Sequence, residues 1–200
     1  MTDTQTPPMV RSRAKDLKAQ THGTHDRLDK AIMAGNPFGD RDRYGLFLKV
    51  QQPFHRDIDA LYDDPRLIAL LPDLGERRRL SQIEQDIADL GQTVPAATQA
   101  PRFTADEQAD LATALGWLYV AEGSNLGAAF LFKMALKLGL SEDFGARHLA
   151  GHPDGRAAHW RQFTSALDAI ELDVDQEMAM VAGANAAFGR VHSLVQEAFG

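Results

Sequence analysis

The sequence predicts an all-α protein folded as one domain. Apolar residues recur at helical spacing along most of the chain, and no stretch alternates apolar and polar residues for long enough to form a strand. The chain has 200 residues, of which 44% are hydrophobic. Since a chain of this length and composition can bury a substantial core, we expect several helices packed around one core.

Seven helices account for this pattern. They are predicted over residues 10–32, 40–62, 64–71, 75–90, 105–138, 154–170 and 174–198. The first helix follows an apolar stripe through Leu17 and Leu28, and the second begins after Asp40, a residue type that caps helix N-termini. Pro53 predicts a kink in the second helix, because proline removes one helical hydrogen bond.

The segments outside these helices divide the chain. Residues 91–103 contain two prolines among small and polar residues and are predicted to form a loop. Residues 1–9 are predicted to be a flexible tail ahead of a domain that spans residues 10–200.

Composition excludes several classes of protein. The absence of cysteine excludes disulfides, thiolate metal sites, a covalently attached c-type haem and a cysteine nucleophile, so any metal must be held by His, Tyr or carboxylate. The net charge of −7 argues against a nucleic-acid binder. The polar N-terminus and the lack of a long apolar run predict a cytoplasmic protein without a membrane anchor. Basic clusters near residues 11–18 and 77–79 are interpreted as solvated helix faces.

The stretch KAQTHGTHDRLDK places a histidine in the first apolar stripe. Thr21 precedes His25 by four residues and Asp29 follows it by four, so all three share one helical face. One interpretation is a core histidine satisfied by the carboxylate. The other is an iron ligand, in which one ring nitrogen binds the metal and the other donates to Asp29. His22 is a weaker candidate, because we expect no carboxylate partner for it.

The stretch LYVAEGSNLGAAFLFK contains two glycines, Gly123 and Gly127, in an otherwise strong helix former. Each glycine costs about 1 kcal/mol relative to alanine at such a position. One interpretation is that they admit another helix at close range. The other follows from the polar neighbours Ser124 and Asn125: a helix that bends and bares its backbone here could lie directly on a flat ligand.

Three segments together resemble one family. THGTHDRLD, LGWLYVAEGSNLGAAFLFK and GARHLAGHPDGRAAHWR, in this order, resemble the haem oxygenases, and most closely the small soluble bacterial members that release iron from haem. The resemblance implies a helical bundle with haem between a proximal helix and a kinked distal helix. It also implies oxidative opening of haem to biliverdin, carbon monoxide and ferrous iron, with dioxygen as co-substrate and electrons from a separate reductase or ferredoxin.

The resemblance also implies residue roles on the haem-binding side. His25 matches the proximal iron ligand, with Thr21 and Asp29 on its face. Lys18, seven residues earlier, matches a basic residue that pairs with a haem propionate, and Tyr119 matches a tyrosine bonded to a propionate.

Arg79 is a third, weaker candidate for a propionate contact. For it, as for Lys18 and Tyr119, the alternative is an ordinary structural or surface residue.

On the distal side, Gly123 and Gly127 match the glycine pair that steers dioxygen toward the ring edge. Residues 118–132 contain neither His nor Arg, so the implied proton source is a chain of ordered water held by neutral polar groups. Gln51 and His55 match the distal polar network of the bacterial members, although a partly exposed polar face is the alternative.

Ser124 and Asn125 complete the predicted catalytic set. Ser124 stands where animal members carry an aspartate.

Two other functions stay open at this stage. A haem-trafficking protein on the same fold would hold haem through His25 without degrading it. A non-catalytic helical interaction protein would use the glycines only for packing. We expect a monomer that binds neither nucleic acid nor membranes.

Overall fold

The computed structural model describes residues 12–200, and its regular elements in that range are all helical. The α-helices are α1 Arg13–Ala34, α2 Arg41–Ile58, α3 Pro65–Leu70, α4 Leu80–Asp89, α5 Leu111–Lys137, α6 Arg156–Ala169 and α7 Val174–Phe199. Shorter 3₁₀ turns cover Asp59–Asp63, Leu74–Arg77 and Arg147–Leu149. The predicted all-α fold is therefore confirmed.

The first helix begins later than the sequence predicts. Ser12 is extended, and α1 starts at Arg13 rather than at residue 10. The predicted tail, residues 1–9, lies outside the described residues. The division into a tail and one domain over residues 10–200 stays a prediction.

The predicted helix over residues 75–90 is in fact two elements. A 3₁₀ turn ends at Arg77, Arg78 is extended, and α4 starts at Leu80. Arg78 is held outside the helix by ion pairs to Asp59 (2.9 Å) and Asp63 (2.5 Å). The interpretation of residues 77–79 as a solvated face is wrong, because Arg77 is only 1% exposed.

The central helix also begins later, at Leu111 rather than residue 105. The carboxylate of Asp110 accepts a hydrogen bond from the backbone N–H of Thr113 at 2.8 Å, which fixes the helix start there. In α2, the helix continues through Pro53 to Ile58, and the predicted kink stays a prediction.

Helices α5 and α7 cross at a pair of glycines. A Cβ at Gly116 would lie 2.7 Å from the backbone nitrogen of Ala184, and a Cβ at Gly183 would lie 2.5 Å from the carbonyl oxygen of Thr113. These distances are too short for any side chain, so the two helices touch through their backbones. This crossing fixes the position of the first half of α5.

The surroundings of α5 change along its length. Most residues from Leu111 to Glu122 are buried, and Leu118 belongs to a core that also contains Leu17 of α1 and Phe163 of α6. Beyond Glu122, helical hydrogen bonding continues through both glycines, but most side chains are exposed, including Leu126, Phe130 and Leu136. The second half of α5 is therefore accessible to a ligand.

Candidate functional site

His25 lies on α1 with its ring only partly covered. Its side chain is 51% exposed, and the edge of the ring packs against Phe188 of α7 at 5.4 Å between ring centroids. Nδ1 lies 3.4 Å from an oxygen of Asp29, as the four-residue spacing predicts. With Nδ1 turned to the carboxylate, Nε2 is the nitrogen that can bind a ligand. Thr21 lies on the same face, but its buried hydroxyl donates to the carbonyl oxygen of Leu17 at 2.8 Å.

The expectation that His22 lacks a carboxylate partner is wrong. Its Nε2 lies 3.3 Å from Asp26, one turn ahead, so both histidines have an acidic neighbour at the same spacing. What separates them is their surroundings, because His22 is 69% exposed whereas the ring of His25 packs on the protein. The contact with Phe188 orients the ring of His25, whereas the ring of His22 is mostly exposed to solvent.

Gly123 and Gly127 leave space beside α5. A Cβ at Gly123 would make ordinary contacts with the ring of Trp160 at 3.6 Å, and a Cβ at Gly127 would meet no atom within 4 Å among the described residues. Neither glycine is therefore required by a neighbouring helix. The packing interpretation of this pair loses its support, whereas an exposed backbone fits direct contact with a flat ligand.

Ser124 and Asn125 lie between these glycines, and both bond to the protein. The hydroxyl of Ser124 donates to the carbonyl oxygen of Ala121 at 2.6 Å. The backbone carbonyl of Asn125 accepts from Nη1 of Arg156 at 3.0 Å. This part of the helix is thus held by polar contacts.

Glu122, next to Gly123, is a buried carboxylate that sequence reasoning missed. It is 3% exposed and pairs with the fully buried guanidinium of Arg77 at 2.8 Å. Burial raises the pKa of Glu122, and the charge of Arg77 opposes that rise. The sequence does show Glu122 as an acidic residue in an otherwise apolar helical stretch. Its partner, Arg77, lies 45 residues away in the sequence and is not indicated by spacing.

A cluster of buried polar groups lies near Glu122. His55 is 4% exposed, and burial, with smaller effects of His148 and Arg79, lowers its pKa to about 3, so its ring is neutral at pH 7. Nδ1 of His55 and the hydroxyl of Tyr62 are buried and have no hydrogen-bond partner among residues 12–200. Gln51, one turn before His55, is half-buried.

His148 and Asp86 extend this cluster and were not predicted. Nδ1 of His148 lies 2.8 Å from Asp86, whose carboxylate also accepts from the backbone N–H groups of Arg147 and His148. Burial lowers the pKa of His148, against the opposing effect of Asp86. Nε2 of His148 is buried without a partner in the described part of the chain. The Asp86 contact fixes the proton on Nδ1, so Nε2 is left as an acceptor.

The structure brings Tyr119 and Lys18 to one region and places Arg79 elsewhere. The Tyr119 hydroxyl donates to the carbonyl oxygen of Ala14 at 3.4 Å, a long hydrogen bond, and Ala14 lies one turn from the exposed Lys18. Burial raises the pKa of Tyr119, which keeps it a donor. Arg79 instead donates to the carbonyl oxygen of His148 at 2.8 Å, within the buried cluster.

Other features of the described residues lie apart from these groups. A cleft of about 390 Å³ between α2, α7 and residues 95–99 contains none of the predicted site residues. Among residues 12–200, no three His, Asp or Glu side chains are arranged to hold a metal ion. No helix in that range is long and apolar enough to cross a membrane.

Comparison of the sequence with known proteins gives one family. A profile of the family described as "Heme oxygenase" matches residues 11–197. The chain is 42% identical to the heme oxygenase PigA of Pseudomonas aeruginosa over 199 residues, which cover 98% of this chain and 99% of that protein. It is 33% identical over 119 residues to a heme oxygenase of Xanthomonas campestris pv. campestris, with 58% of this chain and 67% of the relative covered.

Comparison of the structure gives the same result. A heme oxygenase from Neisseria meningitidis, solved with bound NO and CO, is similar with a TM-score of 0.88 and 42% identity, over 94% of this chain and 92% of that one. A heme oxygenase from Leptospira interrogans has a TM-score of 0.71 at 16% identity, over 94% and 100% of the two chains, a likeness of fold alone.

Proposed function

Because this chain belongs to the haem oxygenase family, we propose that it opens the haem ring to give biliverdin, carbon monoxide and ferrous iron. Haem is the substrate of this oxidoreductase, and the family favours this function over a haem carrier. The structural observation that carries the proposal is the open backbone at Gly127, in a helix that is continuous on both sides.

His25 is the proposed iron ligand. Its Nε2 is the nitrogen turned away from Asp29, and the packing of its ring on Phe188 limits its rotation. The carboxylate of Asp29, 3.4 Å from Nδ1, favours the tautomer with the proton on Nδ1 and makes Nε2 a stronger ligand. The pair is exposed on α1, so the carboxylate also stays accessible to water.

Gly123 and Gly127 are the proposed distal contacts. Bound haem would supply the iron that activates dioxygen. Because Gly127 has no side chain, the α5 backbone could lie close to the flat face of the ring, and this closeness would limit the directions from which dioxygen reaches the ring edge. Ser124 and Asn125 are bonded to Ala121 and Arg156, which keeps their polar groups in fixed positions beside that backbone.

The buried cluster around His55 is the proposed route for protons. Buried polar groups without a protein partner are groups that ordered water binds. His55, Tyr62 and His148 each contribute one such atom, and both histidines have a lowered pKa, so they offer neutral donors and acceptors at pH 7. Gln51, next to His55 on the same face of α2, extends this route. Groups of this kind can pass protons although they are themselves uncharged at pH 7.

Lys18 and Tyr119 are the proposed contacts for the haem propionates, and Arg79 stays a third, weaker candidate, because one of its N–H groups donates to the carbonyl oxygen of His148. Electrons are proposed to come from a separate reductase or ferredoxin, and the protein is proposed to act as a monomer.

The function is tested by adding hemin to the purified protein, followed by a reductant in air with catalase present, so that free hydrogen peroxide cannot degrade haem. We expect a Soret band that forms and then gives way to biliverdin absorbance, with release of carbon monoxide. A protein-bound Soret band that persists through reduction and aeration would identify a haem carrier, and a spectrum that stays that of free hemin would contradict haem binding.

A further inference from the structure

Two arginines from outside α5 hold the helix beside its open glycines. Arg77 bonds to Glu122, immediately before Gly123, and Arg156 bonds to the carbonyl of Asn125, between the two glycines. We propose that Arg77 and Arg156, here called the arginine clamp, are positioning residues that fix the distal backbone relative to the substrate. The inference rests on the proposed function and assigns residues to the same site.

Arg77 bonds to three parts of the fold through one guanidinium. It is 1% exposed, and its Nη1 donates to Glu122 at 2.8 Å. Nη2 donates to the carbonyl of His159 at 3.3 Å and to Gln162 at 3.4 Å, both on α6, while Nε donates to the carbonyl of Pro72 at 3.3 Å. A planar guanidinium with several fixed donors sets the relative position of its acceptors, which the single ammonium of a lysine cannot do.

Arg156 completes the clamp from the start of α6. Its Nη1 donates to the Asn125 carbonyl at 3.0 Å, and its Nη2 donates to the carbonyl of Leu149. Glu122 and Asn125 lie three residues apart on α5, so the two arginines contact the same turn of that helix.

This turn needs such contacts because apolar packing around it is sparse. A Cβ at Gly127 would meet nothing within 4 Å among the described residues, and Ser124 and Leu126 are exposed. The two glycines also lower the intrinsic helix stability by about 1 kcal/mol each. With few apolar neighbours, the polar contacts decide where the backbone lies. A misplacement of about 1 Å at a reacting site can cost a factor of about 100 in rate.

The contribution of the buried Arg77–Glu122 pair to folding stability does not explain why an ion pair lies at this position. A buried ion pair is often no more stabilising than apolar residues of similar volume, because desolvation offsets the attraction between the charges. The clamp has several directed bonds to carbonyl and carboxylate oxygens, and such bonds define geometry. We therefore expect its removal to loosen one turn of α5 rather than the whole protein.

The clamp is tested by amide hydrogen exchange on the substrate-free protein. The double variant Arg77→Met/Glu122→Gln removes the pair without leaving a buried charge unpaired, and Arg156→Met removes the second contact. We expect exchange at residues 123–130 to accelerate about tenfold or more in each, while residues 111–121 stay within about threefold of wild type. If the double variant does not fold, Arg156→Met alone decides the result, since it leaves the buried pair intact.

Arg13→Met is the matched control. Arg13 also bridges helices through a carboxylate, Glu177, and a carbonyl, Leu167, but between α1, α6 and α7. Unchanged exchange at residues 123–130 in the clamp variants, or equal acceleration there in Arg13→Met, would overturn the proposal.

A second measurement separates positioning from a merely structural role. In the clamp variants loaded with haem we expect the affinity for haem within about threefold of wild type, a lower kcat and a mixture of biliverdin isomers. A single isomer formed at the wild-type rate would also overturn the proposal. If wild-type protein does not turn over haem, the proposed function fails, whereas the exchange result on the substrate-free protein still stands.

Discussion

Helix α5 contains glycines of two kinds. Gly116 lies at the crossing with α7, where an added Cβ would be 2.7 Å from the backbone nitrogen of Ala184. Gly127, about three turns later, has space for a Cβ with no atom within 4 Å in the described part of the chain. Gly116 is required by the packing of α5 against α7, whereas no neighbour among residues 12–200 requires a glycine at position 127.

The two interpretations of the glycines, helix packing and contact with a flat ligand, therefore apply to different positions. The packing role considered for Gly123 and Gly127 belongs instead to Gly116 and Gly183, which admit the backbones of α5 and α7 to each other. The open glycines are left for the proposed contact with the substrate. On this proposal, the first half of α5 specifies the fold and the second half serves the chemistry.

Gly116→Leu is expected to have the largest effect. The side chain would have to push α5 and α7 apart at their closest approach, which lowers the free energy of unfolding by about 3 kcal/mol or more. Urea unfolding of the substrate-free protein measures this change. A wild-type unfolding midpoint would mean that the two helices separate freely, and the contrast between the two kinds of glycine would be lost.

His25→Ala tests the proposed iron ligand on α1. The side chain is half-exposed, so stability should change by no more than about 0.5 kcal/mol. Haem should bind weakly, with a changed Soret band and little turnover, and added imidazole should restore part of the activity. His22→Ala is the matched control, with the same carboxylate spacing. A normal spectrum in His25→Ala together with a changed one in His22→Ala would identify His22 as the ligand.

Lowering the pH should destabilise the packed region. Burial lowers the pKa of His55 from 6.5 to about 3 and that of His159 to about 4. Between about pH 6.5 and pH 4 the unfolded chain binds protons at these histidines that the folded chain does not, so stability falls as the pH is lowered.

The expected slope of this dependence is up to about 1.4 kcal/mol per pH unit for each histidine. Urea unfolding from about pH 7 to about pH 5 measures it, and His55→Gln should reduce the slope by about one proton. An unchanged slope in that variant would mean that His55 is not the neutral buried group described above.

Lys18→Ala combined with Tyr119→Phe should have the smallest effect on binding. An exposed ion pair contributes only about 0.2–1 kcal/mol, so haem affinity should stay within about tenfold of wild type. The seating of haem should nevertheless become mixed, and chromatography of the products should separate several biliverdin isomers. A single unchanged isomer would mean that other residues, either Arg79 or apolar side chains around the haem, set the seating.

Local features of the fold and site were predictable from the sequence, because helix periodicity and four-residue spacings are short-range. The pairing of His25 with Asp29 follows from spacing alone, and so does the pairing of His22 with Asp26, which the sequence interpretation overlooked.

Contacts between distant segments were not predictable. Arg77 and Glu122 are 45 residues apart, and Asp86 and His148 are 62 apart. Spacing shows which residues share a face, but it does not show which faces meet. For the same reason the basic run at residues 77–79 could not be divided into one buried and two partly exposed arginines.

The most direct test of the central claim, that Gly127 is retained for the substrate and not for packing, compares stability with activity in Gly127→Ala and Gly127→Leu. Because each side chain enters open space, we predict that the substrate-free variants are as stable as wild type, or more stable by up to about 1 kcal/mol from better helix propensity. The biliverdin yield is predicted to fall in Ala and to be nearly lost in Leu. Wild-type yield in the Leu variant, or a loss of stability like that of Gly116→Leu, would contradict the account and return Gly127 to a packing role.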